Sequence, residues 1–217
     1  MTDSLFPPGP VTVAPGAIHL PGRLDLDRQR DLVERCRTWA RLPGGMRRHR
    51  MPRGGRMSVR MLSLGWYWEP YRYTRTLPEG TPVPPFPAVL GDLAREAVTA
   101  AFGAPPPAGA PPYDVALVNF YDPTARMGMH RDAEERADLP VVSISLGDTC
   151  VFRFGNTETR TRPYRDVELR SGDVFVFGGP ARRAYHGVPR ILPGSADPAC
   201  GLASGRLNIT IRASGLA

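Results

Sequence analysis

The chain contains no lysine: all 28 of its basic residues are arginine, set against 21 acidic ones, for a net charge of +7. A GC-rich genome accounts for the choice of Arg but not for the excess of positive charge, which favours a polyanionic partner such as nucleic acid. Cysteine is scarce. Cys36, Cys150 and Cys200 are odd in number and scattered, which argues against a disulfide frame and lacks zinc-site spacing. No apolar run approaches membrane-spanning length, and the N-terminus MTDSLFPPGP has no basic-then-apolar leader. The expectation is a cytoplasmic protein with no membrane partner. No internal repeat is visible. At 217 residues the chain is expected to form one domain with a sizeable core, working as a monomer.

Pro and Gly dominate the first residues, so an irregular segment is expected over 1–14. Ala17–Leu20 reads as a short strand. From Asp25 or Asp27 as N-cap, Leu32, Val33, Cys36, Trp39 and Ala40 recur at helical spacing, and Pro43-Gly44-Gly45 ends the helix. A second amphipathic helix is marked by Leu90, Leu93, Ala94, Ala97, Val98, Ala101 and Phe102 and closed by Gly103. Between them lies MRRHRMPRGGRMSVR (46–60), with His49 among its arginines. That stretch is either a solvated loop or a basic flap that touches phosphates. Met57, Val59 and Met61 then alternate with polar residues in a strand running to about Leu64. Next comes a run of aromatics, Trp66, Tyr67, Trp68, Tyr71 and Tyr73. It is either a core cluster or a stacking platform for a flat ligand. After a Pro- and Ala-rich linker the chain becomes β-rich. Short strands are predicted at Val115–Tyr121, Met127–His130, Val141–Leu146, Cys150–Phe154, Asp166–Leu169, Val174–Phe177, Tyr185–Val188 and Arg206–Arg212. Short strands separated by turn residues suggest a sandwich or jelly roll.

The chemistry-bearing residues lie in that half. His130 and Asp132, two apart on a strand or its end, project to one face. A lone His-X-Asp is most often a surface turn; His186, far downstream, is what changes the reading. Two imidazoles and a carboxylate with open positions form the facial triad of non-haem Fe(II) oxygenases. Arg206-Leu207-Asn208-Ile209-Thr210-Ile211-Arg212 alternates with period two, which places Arg206, Asn208 and Arg212 on one face. If that face is solvent, the strand is an ordinary half-buried one. If it lines a barrel interior, two guanidiniums need anions, and a dicarboxylate cosubstrate would supply them. Asn119 and Tyr121 share a face in the same way and could hydrogen-bond a carboxylate or keto oxygen; Tyr121 could equally be core.

The ordered set resembles the AlkB family of Fe(II)- and 2-oxoglutarate-dependent dioxygenases. The matching stretches are PGAI (15–18), MSVRMLSLGW (57–66), NFYDPTARMGMHRD, PVVSISLGDTCVFRFG, SGDVFVFGG, Tyr185-His186-Gly187 and RLNITIR. The resemblance implies an α+β, mainly β fold: a double-stranded β-helix (jelly roll) with N-terminal helices and a nucleotide-recognition lid. One domain would span 15–217, with the lid at about 43–80 and the jelly-roll core at about 113–213. It implies His130, Asp132 and His186 as iron ligands. Arg206 and Arg212 would serve the 2-oxoglutarate carboxylates or their surroundings, with Asn119, Tyr121 and Asn208 completing that site. Trp66 would stack on the target base, Tyr71 and Tyr73 would lie near the nucleotide phosphate, and Glu134 would face the base. The implied activity is oxidative demethylation of N-alkylated bases such as 1-methyladenine and 3-methylcytosine in single- or double-stranded DNA or RNA. It would use Fe(II), 2-oxoglutarate and O2 and release succinate, CO2 and formaldehyde. The alternatives are a dioxygenase of the same fold acting on a protein or small molecule, and a non-catalytic metal-binding jelly roll.

Overall fold

The computed structural model describes residues 9–52 and 54–216; residues 1–8 of the N-terminal segment and Arg53 of the basic stretch lie outside the described residues. Among the described residues, thirteen strands and two α-helices follow one another as β1 (Val11–Ala14), β2 (Ala17–Leu20), α1 (Leu26–Trp39), β3 (Arg60–Leu64), β4 (Tyr67–Glu69), β5 (Arg72–Thr74), α2 (Ala88–Phe102), β6 (Val115–Tyr121), β7 (Met127–His130), β8 (Val141–Gly147), β9 (Thr149–Phe154), β10 (Arg165–Leu169), β11 (Val174–Phe177), β12 (His186–Leu192) and β13 (Arg206–Arg212). The larger sheet has the order β1-β2-β11-β8-β13-β6-β3, the smaller β10-β9-β12-β7, and β4-β5 forms a separate hairpin. All these pairings are antiparallel, as a jelly roll requires.

Period-two alternation sorts the larger sheet into two faces. Leu207, Ile209 and Ile211 of β13 join Val142, Ile144 and Leu146 of β8 on its outer face, against Leu32, Val33, Cys36 and Trp39 of α1 and Leu90, Ala94 and Val98 of α2. Asp25 caps α1 by accepting the Arg28 N–H at 2.8 Å. Gly103 ends α2 in the left-handed conformation, φ 77. The inner face meets the smaller sheet through a second core, in which Phe175 and Phe177 pack against Phe152 and Phe154. The polar side of β13, which could have faced water, therefore faces the space between the sheets.

Two expectations are corrected here. Val11–Ala14 is not irregular: it pairs antiparallel with Ala17–Leu20 and lengthens the large sheet by a strand. Pro and Gly content misleads there because the edge strand takes its order from a partner already in the sheet. The strand expected from Met57 begins only at Arg60, because the preceding residues fold back: Met57 N–H donates to the His49 carbonyl at 2.9 Å. Gly65 then turns the chain from β3 into the hairpin at φ 81, and a Cβ there would lie 1.9 Å from the Asp114 carbonyl oxygen. Only glycine fits that close approach.

Candidate metal and cosubstrate site

The end of β7 and the start of β12 lie side by side, with His130 and His186 as direct partners. Asp132 follows β7 by two residues and turns inward, fully buried. One ligand atom from each of the three lies within 4.8 Å of the others. Both imidazole Nε2 atoms stand 3.8 Å from Asp132, one from each carboxylate oxygen. Each Nδ1 meets a backbone carbonyl at 3.0 Å, Gly128 for His130 and Ala184 for His186. Those carbonyls fix the proton on Nδ1 and leave both Nε2 lone pairs aimed at the same point. Burial, helped by the His130 ring, lowers His186 to about 4, so its imidazole is neutral at physiological pH. Burial pushes Asp132 upward, but Arg212, His186 and His130 outweigh it and bring the carboxyl down to about 2. Its Oδ2 has no hydrogen-bond partner although it is buried. A buried carboxylate oxygen without a donor, beside two imidazole Nε2 atoms, fits a divalent metal.

Gly187 makes this pairing possible. A Cβ there would sit 2.8 Å from the Met127 carbonyl oxygen and 2.9 Å from that of Gly128, both backbone atoms of β7. A Gly187→Ala substitution should push β12 off β7 and separate His186 from His130. The expected result is iron affinity lower by about tenfold with a cooperative fold retained, read by metal titration and thermal melting.

A cavity of about 820 Å³ opens from this point, lined on its inner side by Asn119, Tyr121, Arg206, Asn208, Thr210 and Arg212. The two arginines of β13 differ in what they already hold. Arg212 is ion-paired through both terminal nitrogens: its guanidinium reaches Asp132 at 2.7 Å, Glu135 at 3.0 Å and the Tyr73 hydroxyl at 2.9 Å, with only Nε left unpartnered. Glu135 also takes a 3.0 Å bond from Arg182, which is itself buried. Two positive and two negative charges thus close a neutral buried cluster. Arg206 is different. It donates to Ser145 Oγ at 3.0 Å and lies over the Tyr121 ring, but its Nε and Nη1 have no partner, and no carboxylate pairs with it among the described residues. A buried guanidinium with two free N–H groups is costly unless an anion arrives. That fits one carboxylate of a small diacid; Arg212 lines the same cavity with its Nε also unpartnered, but its other nitrogens are already held by carboxylates. Asn119 and Asn208 bond each other at 3.3 Å, and the Asn119 carbonyl oxygen is left unpartnered beside that site.

The outer wall corrects three further expectations. Trp66 does not line the cavity: its indole N–H is bonded to Asp114 at 2.8 Å, and the Arg75 guanidinium covers its ring at 3.6 Å. Trp68, on β4, lines the cavity in its place. Tyr73 is not free for a phosphate, because its hydroxyl donates to Glu135 at 2.5 Å and accepts from Arg212. His49 is not part of the basic surface; it is buried against Tyr67 and Trp68. Tyr71 is 71% exposed at the cavity mouth, and Glu134 reaches the cavity with its carboxyl raised by burial. Within the basic stretch, Arg47 and Arg48 are paired with Glu79 and Asp122, whereas Arg56 lines the cavity. Trp68, Glu135 and Arg182 were missed from sequence. Trp68 was visible in the aromatic run, and Glu135 adjoins Glu134, but nothing local distinguished either from its neighbour.

A family model described as the 2OG-Fe(II) oxygenase superfamily matches residues 16–212. The alpha-ketoglutarate-dependent dioxygenase AlkB homolog of Caulobacter vibrioides is 45% identical over 211 residues, which cover 94% of this chain and 90% of that protein. The DNA N(6)-methyladenine demethylase ALKBH1D of Arabidopsis thaliana is 32% identical over 228 residues, covering 92% of this chain and 50% of that one. The solved structure of OsALKBH1 superposes with a TM-score of 0.82 at 35% identity, covering 94% of this chain and 99% of that chain. Fe(II) is the metal of these dioxygenases, with 2-oxoglutarate and O2 as cosubstrates, and the buried triad beside the unpaired Arg206 suits both metal and diacid. From sequence, geometry and relatives together, the chain belongs to the 2OG-Fe(II) oxygenase superfamily and, within it, to the AlkB family.

Proposed function

We propose that the protein removes N-linked methyl groups from bases in nucleic acid by oxidation. The observation that carries this reading is the cavity itself: the triad and Arg206 form its floor, and Trp68, Tyr71 and Glu134 stand on the outer side. His130, Asp132 and His186 would hold Fe(II), three protein donors that leave room for cosubstrates. Arg206 would take the far carboxylate of 2-oxoglutarate in a charge-assisted bond, with Asn119, Asn208 and Tyr121 around it. When bound, Fe(II) with 2-oxoglutarate and O2 supplies the oxidation: one oxygen atom enters succinate as CO2 leaves, and the other enters a C–H bond of the N-methyl group. The hydroxymethyl product then releases formaldehyde and restores the base N–H or lone pair.

This chain's residues give that chemistry its place. Phe152 and Phe177 wall the triad side of the cavity with apolar surface that excludes water. Trp68 offers a face for stacking, worth roughly 1–3 kcal/mol per base. 1-Methyladenine and 3-methylcytosine are cationic near neutral pH, so an aromatic face with the Glu134 carboxylate favours them over neutral bases. Methylation at the pairing edge also lowers the cost of taking the base out of the stack. Arg56, Arg126, Arg131 and Arg160 around the cavity suit phosphates without reading sequence.

The test is to incubate the protein with Fe(II), 2-oxoglutarate and O2 and to follow loss of the methyl mass. Oligonucleotides would carry 1-methyladenine, 3-methylcytosine, 1-methylguanine or N6-methyladenine, each as DNA and RNA, single- and double-stranded. The cationic bases are expected to turn over fastest, with formaldehyde matching succinate. Succinate without formaldehyde from any of them would point to a protein or small-molecule substrate instead.

A further inference from the structure

The hairpin that forms the outer wall is wired to the metal site. Trp68 on β4 is the direct cross-strand partner of Tyr73 on β5. The Tyr73 hydroxyl donates to Glu135 Oε1 at 2.5 Å and accepts from Arg212 Nη1 at 2.9 Å. Arg212 in turn holds Asp132 Oδ1 at 2.7 Å, which leaves Oδ2 free and buried. The other side of the clamp is set by the barrel: Arg182 fixes Glu135 at 3.0 Å and donates to the Asp132 backbone carbonyl at 3.2 Å. The guanidinium that orients Asp132 is therefore held from two directions, one belonging to the rigid sheets and the other to the hairpin that carries Trp68 and Tyr71.

We infer that Tyr73 is a positioning residue that ties the wall of the substrate cavity to the metal ligand Asp132 through Arg212. This rests on the reading that the triad holds iron and the wall holds a base. A shift of Trp68 is transmitted to Tyr73 through their shared backbone pairing. Tyr73 passes it to Arg212, and Arg212 to the orientation of the Asp132 carboxylate. The seating of the hairpin thereby becomes a property of the metal site. Packing alone does not require the hydroxyl: the Tyr73 ring lies against Met61, Trp66, Val115 and Leu117, and phenylalanine would keep those contacts.

Titration of the whole protein with Co(II), without nucleic acid, tests the tie. Tyr73→Phe should weaken Co(II) binding by about tenfold and shift its visible absorption band, as loss of a group that orients a ligand does. Thermal melting should be little changed. Trp68→Ala, which removes no hydrogen bond or ion pair of the cluster among the described residues, should also shift the band, and in the double variant its effect should largely vanish. A Tyr73→Phe protein with wild-type affinity and spectrum overturns the inference; should that variant fail to fold, an unshifted band in Trp68→Ala overturns it. The outcome is separable from that of the base-demethylation reading. If the cobalt signatures move but no methylated oligonucleotide is turned over, the substrate reading fails and the tie stands. If oligonucleotides are demethylated while the signatures stay fixed, the tie fails and the substrate reading stands.

Discussion

An Arg206→Ala variant is expected to bind 2-oxoglutarate more weakly by roughly 30-fold to several thousandfold, the equivalent of about 2–5 kcal/mol for losing one partner of a buried charge pair. Turnover at ordinary cosubstrate concentration should stop. The sign of the stability change separates this role from a structural one. In the cosubstrate-free protein Arg206 is buried with Nε and Nη1 unpaired, so it contributes no ion pair that the fold would lose. The melting temperature of the free variant should stay near or above that of the wild type. Saturating 2-oxoglutarate should raise the wild-type melting temperature, by about 2.7 kcal/mol of stability at a hundred times Kd, and leave the variant almost unmoved. Arg206→Lys should recover only part of the affinity, because an ammonium lacks the planar fork. Near-normal 2-oxoglutarate affinity in the alanine variant would refute the assignment, and calorimetric titration under nitrogen reads it directly.

His130→Ala should abolish turnover while leaving the fold intact. His130 is only partly buried, on the short strand β7 at the edge of the smaller sheet, so little apolar packing depends on it. What it takes away is one of three donors, and iron content after dialysis should fall to background. His186→Ala should lose iron equally but melt lower. That ring packs among Phe152, Phe154 and Phe177, and its removal leaves a hole in the second core. A His130→Ala protein that keeps iron and turns over at a near-normal rate would break the triad assignment. Equal melting temperatures for the two variants would instead contradict the packing argument.

Much of this was legible in the chain because the relevant signals are periodic or ordered. The alternation in β13 reported its two faces correctly, and the strands of the second half fall within a residue or so of their expected bounds, apart from β12. That strand runs on to Leu192, past Pro189 and the break in its pairing with β7 and β9. The metal triad was readable because His-X-Asp and a distant His are rare in a chain with four histidines. The aromatic wall was not readable. Trp66 and Trp68 have the same parity, but Trp66 lies in the bend between β3 and β4 and only Trp68 is in a strand, so strand parity does not relate the two. Trp66 was claimed by Asp114 and Arg75, partners distant in sequence or across the hairpin.

The amino-acid order by itself determined both helices and the strands of the second half, which face of each is apolar, and that two imidazoles, one carboxylate and two arginines are available to a barrel interior; β1 and the β4–β5 hairpin were not among its predictions. Only the tertiary structure decided how those charges pair. Asp132 and Glu135 approach β13 at its Arg212 end, whereas Arg206 meets Ser145 and the Tyr121 ring. Two identical guanidiniums on one face of one strand thus became a neutralised clamp and an open anion site. The reason is physical. A buried charge takes its role from the partners within hydrogen-bond reach, and those are set by how distant strands and loops converge, not by the residues on either side of it.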